Sequence, residues 1–133
     1  MKMKLFMVLV LAATSSTATE LNLKFLRALN MVEASGKNGN IVGDNGAALG
    51  GYQIHKSYWK DATSYDKSIG GSYSDVTNKA YAEKIVTAYL NRYARKAILT
   101  NDFETLARIH NGGWNGANKT STKKYWLKVK RFL

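Results

Sequence analysis

The chain has no cysteine and no proline among its 133 residues, and only two histidines, His55 and His110. Without cysteine there is no disulfide, thiol nucleophile, thiolate zinc site or iron–sulfur cluster. Two histidines are too few for a His-rich metal site. Acids are scarce as well: nine Asp and Glu stand against 20 Lys and Arg, for a formal net charge of +11. The candidate catalytic carboxylates are therefore a short list: Glu20, Glu33, Asp44, Asp61, Asp66, Asp75, Glu83, Asp102 and Glu104. The longest apolar run, residues 5–13, is far short of the roughly 20 residues that a membrane span needs. Walker, GxGxxG, HExxH and GxSxG motifs are missing, and so is any recognised nucleic-acid module.

What is present describes one folded, exported domain. Hydrophobic residues make up 45% of the chain and charged residues only 22%, enough apolar material for a core and too little charge for disorder. Residues 1–18 combine Lys2 and Lys4, the apolar run and small residues with Ser16 and Ala18 placed for cleavage. That is the layout of a secretory signal peptide, and it predicts a secreted or periplasmic product spanning 19–133. The positive excess points to an anionic partner.

Hydrophobic periodicity predicts helices over 20–34, 54–62, 75–96, 101–110 and 121–132. The first buries Leu21, Phe25, Leu26, Ala28, Leu29 and Val32. The third carries a stripe of Ala82, Ile85, Val86, Tyr89, Leu90 and Tyr93. Asn101 and Glu104 have capping-box spacing, and Gly112 and Gly113 end that helix. The last helix turns Tyr125, Trp126, Val129 and Phe132 inward. Residues 35–51 are rich in Gly and Asn and predict turns with a small hairpin. The expected class is α+β, predominantly α, with a small Gly-rich β-region after the first helix.

Two acids stand out. Glu33 projects between Leu26 and Leu29 on the apolar face of the first helix, where it runs out into the Gly-rich loop. Burial there disfavours the ionised form, which suits a general acid near neutral pH. Asp44 lies in Gly43-Asp44-Asn45-Gly46, a polar turn that keeps a carboxylate ionised. A neutral acid facing an ionised carboxylate is the working pair of glycoside hydrolysis, a pattern whose type case is a lysozyme. Aromatic and amide residues are dense in Tyr52-Gln53-Ile54, Tyr58-Trp59, residues 110–116 and Tyr125-Trp126, as sugar recognition requires.

Three blocks in order carry a family resemblance: Val32-Glu33-Ala34-Ser35-Gly36; Gly43-Asp44-Asn45-Gly46 leading to Gly51-Tyr52-Gln53-Ile54 and Tyr58-Trp59-Lys60-Asp61; and Ala107-Arg108-Ile109-His110-Asn111-Gly112-Gly113 followed by Tyr125-Trp126. Over roughly residues 30–133 the chain resembles the invertebrate-type (destabilase) lysozymes, and among them cysteine-free microbial or viral members. The glutamate, Gly-rich turn and Tyr-Gln-Ile also look like lytic transglycosylases, which use the glutamate alone. The resemblance implies a lysozyme-like fold, Glu33 as general acid and Asp44 as second carboxylate, although the spacing from Asp44 to Tyr52 is one residue shorter than in the family. It implies that Tyr52, Gln53, Ile54, Tyr58, His110, Asn111, Gly112 and Gly113 line or shape a substrate cleft. Trp114 stands where the family usually has proline and offers a stacking surface. The implied substrate is peptidoglycan, with chitin oligosaccharides as a second candidate, acted on by a monomer without metal or organic cofactor and without nucleic acid or stable membrane insertion. A non-catalytic cationic wall- or membrane-binding protein is the reading from another class.

Overall fold

A computed structural model describes residues 19–133; the segment read as a signal peptide, residues 1–18, lies outside them. The first helix, α1, runs Leu23–Ala34. It starts where the Asn22 side chain accepts from the Lys24 and Phe25 amides, so Leu21 is buried ahead of the helix instead of in it. It stops at Ser35 and Gly36, both left-handed. A three-stranded antiparallel sheet follows, in the order β1 (Val42–Gly43), β2 (Ala48–Leu49), β3 (Ile54–His55). In register, Gly43 opposes Ala48 and Ala48 opposes His55. The expected hairpin is thus extended by a third strand.

Helix α2 (Lys56–Tyr65) begins directly at the end of β3, two residues later than the periodicity suggests, and runs three residues further. A tight 3-10 turn at Tyr73–Thr77 is closed by a Ser72–Asp75 capping box, and Asn78 caps α3 (Lys79–Leu99). These two caps divide what reads in sequence as one helix from residue 75. Its predicted stripe is buried apart from Tyr93, which is only partly covered. Helix α4 (Phe103–Gly112) is capped by Asp102, whose side chain accepts from the Thr105 amide. The expected Asn101–Glu104 capping box does not form: Asn101 is left-handed in the short α3–α4 turn, and Glu104 pairs with Arg108 at 2.9 Å. Helix α5 (Lys123–Lys130) buries Tyr125 and Val129 and half-buries Trp126. Phe132 lies beyond its end and is exposed, against expectation.

Two polar cross-links set the active face. Asn30, buried on α1, donates to the carbonyls of Lys37 (2.8 Å) and Gly51 (3.0 Å), pinning the end of the helix to the loops around the sheet. Arg108, buried on α4, reaches Thr122, Glu104 and the Lys119 carbonyl at 2.9–3.0 Å, and Thr122 donates to the Gly116 carbonyl at 2.7 Å. This ties the 113–122 loop to α4 and fixes where α5 starts. Gly116 is pressed against that helix, and a Cβ there would collide with the Arg108 carbonyl oxygen. Gly116→Ala should lower the unfolding free energy by about 1–3 kcal/mol, read as a lower urea midpoint at unchanged slope. An unchanged midpoint would show that the loop is loose on α4.

Candidate active site

The fold encloses a cleft of about 380 Å³ between the end of α1, the sheet and the facing ends of α2 and α4. Glu33, Asp44, Gln53, Tyr58, His110, Asn111 and Gly113 line it together with Asp61, one of the nine acids on the short list, and so do four residues that sequence reasoning did not select for the site: Ala48, His55, Ser57 and Tyr89. A larger groove of about 510 Å³ runs along α1 and α3 away from this pair of acids.

Glu33 sits in the last turn of α1. Burial pushes its carboxyl up to about 7 from an ordinary value near 4.5. The Tyr125 hydroxyl and the Lys128 ammonium, both on α5, oppose the shift only in part. The Tyr125 hydroxyl is buried beside the carboxyl, short of formal hydrogen-bond geometry, and has no other partner among the described residues. Glu33 is thus a carboxyl that keeps its proton toward neutral pH.

Asp44 is exposed where Glu33 is buried. It follows β1 directly and opens the turn to β2, where Asp44, Asn45 and Gly46 are all left-handed (φ 50°, 54° and 92°). Asp and Asn adopt that conformation more readily than other residues with a side chain. Its carboxylate is exposed, and Oδ2 lies 3.1 Å from His55 Nε2. The register explains the contact, since Gly43, Ala48 and His55 sit side by side across the sheet. A third acid, Asp61 on α2, accepts from the Tyr93 hydroxyl at 3.1 Å through Oδ2 and has the Arg92 guanidinium 4.0 Å from Oδ1.

The aromatic wall is tightly built. Tyr58 stacks on Tyr89 with ring centroids 3.7 Å apart, and its hydroxyl lies 2.9 Å from His110 Nδ1. His110 is buried, and desolvation drives its imidazole down to about 4. It is neutral at any ordinary working pH.

The structure divides the other residues implied by the resemblance. Tyr52 and Ile54 are 1% exposed and belong to the core, so they support the cleft from beneath and do not line it. Gln53 lines the cleft, but its amide nitrogen is spent on the Ile41 and Gly50 carbonyls. Gly112 packs against Thr122 and Lys119. Gly113, left-handed, ends α4 on the cleft rim. Trp114 is 69% exposed next to that rim, outside the lining. Trp59 is structural: its indole donates to the Tyr81 hydroxyl at 2.9 Å. Among the described residues no group of three or more Asp, Glu or His side chains gathers as a metal site, and no helix is long and apolar enough to cross a membrane.

Comparison with known proteins gives the family and the fold. The family described as Destabilase matches residues 24–132. The chain is 37% identical over 86 residues to Lysozyme 1 of Crassostrea virginica, covering 64% of this chain and 45% of that protein. It is 34% identical over 90 residues to Invertebrate-type lysozyme 6 of Caenorhabditis elegans, covering 62% and 65%. The chain spans about half the length of the oyster relatives it matches. The fold superposes on the crystal structure of Tapes japonica lysozyme with a TM-score of 0.70 at 29% identity, over 84% of this chain and 89% of that one.

Proposed function

Since the chain belongs to the destabilase family, that of the invertebrate-type lysozymes, we propose that it is a glycoside hydrolase of peptidoglycan. It cleaves the β-1,4 bond between N-acetylmuramic acid and N-acetylglucosamine. One observation supports this above all others: a single cleft holds an acid that keeps its proton to about pH 7 and a second, exposed carboxylate held by His55. Glu33 protonates the leaving oxygen. Asp44 attacks the anomeric carbon or stabilises the positive charge that develops there. His55 orients the Asp44 carboxylate for that task. Asn111 offers an amide to sugar hydroxyls, and Trp114 offers an exposed stacking face at the rim. The excess of positive charge draws the enzyme to an anionic wall, and salt weakens that attraction. Export by the amino-terminal segment brings it to that wall.

A lytic transglycosylase would use Glu33 without a second carboxylate. Mass analysis of digested peptidoglycan separates the two chemistries. The expected products carry free reducing ends, and Asp44→Asn lowers their rate of formation by at least about 100-fold. Anhydro-sugar ends, together with a nearly unaffected Asp44→Asn variant, would make it a transglycosylase.

A further inference from the structure

Four Asn-Gly pairs occur in the chain: Asn38-Gly39, Asn45-Gly46, Asn111-Gly112 and Asn115-Gly116. Such a pair carries a latent reaction, attack of the glycine amide nitrogen on the asparagine carboxamide, because the glycine has no side chain to stand in the way. The attack needs a nitrogen that is free to lose its proton. The fold removes that freedom at three of the four. The Gly39 amide donates to the Thr77 carbonyl at 3.1 Å, and the Gly116 amide donates to the Gly113 carbonyl at 2.7 Å. Gly112 is the last residue of α4, where the helix ladder holds its amide. Asn45-Gly46 is different. These are the central residues of the β1–β2 turn, at φ 54° and 92°, and the turn is closed by the Ala47 amide on the Asp44 carbonyl at 3.0 Å. Both residues are exposed. Among the described residues the Gly46 amide has no hydrogen-bond acceptor.

We propose that Asn45 is a modification site of this chain, converted through a cyclic imide to isoaspartate and aspartate at the mouth of the cleft. Gly46 N bonds to Asn45 Cγ, the Cγ–Nδ2 bond breaks, and the nitrogen leaves as ammonia with the proton of the Gly46 amide. Water then opens the ring. Cleavage of the new Cγ–N bond gives aspartate on the original backbone. Cleavage of the bond from the Asn45 main-chain carbonyl gives isoaspartate, whose backbone runs through the side chain. Nothing is oxidised or reduced. Ring closure requires the Asn45 main chain to turn away from φ 54°, ψ 34°. That left-handed conformation is unfavourable for a residue with a side chain, and the flanking strands are two residues long, so the turn opens at little cost. The consequence falls on the cleft. Isoaspartate adds a methylene to the main chain inside a two-residue turn, which disrupts both the Ala47–Asp44 hydrogen bond and the pairing of Gly43 with Ala48. That pairing sets the Asp44 carboxylate 3.1 Å from His55. The aspartate product keeps the backbone but places a second negative charge next to Asp44. The effect on activity rests on the reading of Asp44 as the second carboxylate; the modification does not.

The test is to age the folded wild-type protein at mildly alkaline pH, where the amide proton is lost more readily, and to map the products by fragmentation mass spectrometry of its peptides. Isoaspartate and aspartate should form at Asn45 at least about 10-fold faster than at Asn38, Asn111 or Asn115, whose amides are protected by their hydrogen bonds. In urea all four pairs should react at comparable rates. Faster conversion of any of the other three in the folded protein overturns the proposal. So does an Asn45 that folding protects as strongly as the rest. The converted protein, separated from fresh protein by its extra negative charge, should hydrolyse peptidoglycan about 10-fold more slowly, as a displaced catalytic group implies. Asn45→Gln lengthens the carboxamide out of reach of a five-membered ring, so it should hold its starting rate through the same ageing. An Asn45→Gln variant that loses activity as fast as the wild type assigns the loss to another cause. A converted protein with the full rate, beside an impaired Asp44→Asn, shows that this turn does not hold Asp44 in place. Full rates in both would sink the reading of Asp44 instead and leave the map of modified sites as it is.

Discussion

Glu33→Gln will reduce wall lysis by at least about 1,000-fold, within the range that a positioned general acid supplies, while the protein remains folded. The carboxamide keeps the shape of the side chain and fills the same place under Tyr125, but it has no proton to give to a leaving oxygen. The wild-type rate should carry the same information in its pH dependence. Glu33 is protonated below about pH 7 and ionised above it. Activity should therefore fall as pH rises through that value, an alkaline limb set by loss of the acid. Release of reducing ends from purified peptidoglycan, followed from about pH 5 to about pH 9, checks both points. Circular dichroism confirms that the variant is folded. A variant that lyses walls at the wild-type rate removes Glu33 from the chemistry. A wild-type rate that stays flat across that range assigns the proton to another group. Bacterial killing that persists in the variant after hydrolysis is gone belongs to the cationic surface, not to the cleft.

The position of Glu33 was legible because it depends on local rules. A helix with one apolar face has a computable direction for every side chain, and an acid on that face near a Gly-rich exit is out of place unless it works. The helices were legible for the same reason, and the errors came where two local signals competed. Asn101 and Asp102 are adjacent and both are good caps. The three-residue turn between α3 and α4 needs a left-handed residue, Asn101 takes that role, and Asp102 is left to cap α4. Phe132 follows the periodicity of α5, but the helix ends at Lys130 and the phase ends with it.

His55 was not legible at all. Its contact with Asp44 depends on the register of strands only two residues long, and strands that short leave no alternating pattern to read. The roles of Tyr52 and Tyr58 were inseparable in sequence for a related reason. Both are aromatic, and both lie near the same Gly-rich segment. Position in the turn that leads into β3 and in α2 decides that one is a core residue and the other meets the cleft. Residues whose partners lie across the fold were thus visible as types and not as roles.

The same carboxyl that we propose as the catalytic acid should weaken the fold, and removing it should expose a compensation. Folded Glu33 titrates near 7, and in the unfolded chain near 4.5. Between those values the unfolded chain releases a proton that the folded protein keeps, so stability falls as pH rises. The loss is complete above about pH 7 and amounts to about 3 kcal/mol. His110 works the other way. Its imidazole titrates near 4 when folded and near 6.5 when unfolded. Its neutral, buried form contributes stability that is fully present above about pH 6.5 and lost as pH falls towards 4, again about 3 kcal/mol. The tyrosines of the cleft are pushed above their ordinary range and do not titrate in this interval. The two slopes are opposite and of similar size between about pH 4.5 and about pH 6.5. Wild-type stability should therefore be nearly flat there. Glu33→Gln removes one slope and leaves the other. Its urea-unfolding free energy should climb by about 2 kcal/mol from pH 4.5 to 6.5. At pH 8 it should exceed the wild type by about 2–3 kcal/mol, a gain of roughly 5–15 °C in melting temperature for a domain of this size. Near pH 4, where wild-type Glu33 is protonated in both states, the two proteins should be equally stable. A variant no more stable than wild type at pH 8 would show that Glu33 is hydrated in the folded protein, and an equal gap at pH 4 and pH 8 would show that packing, not ionisation, separates them.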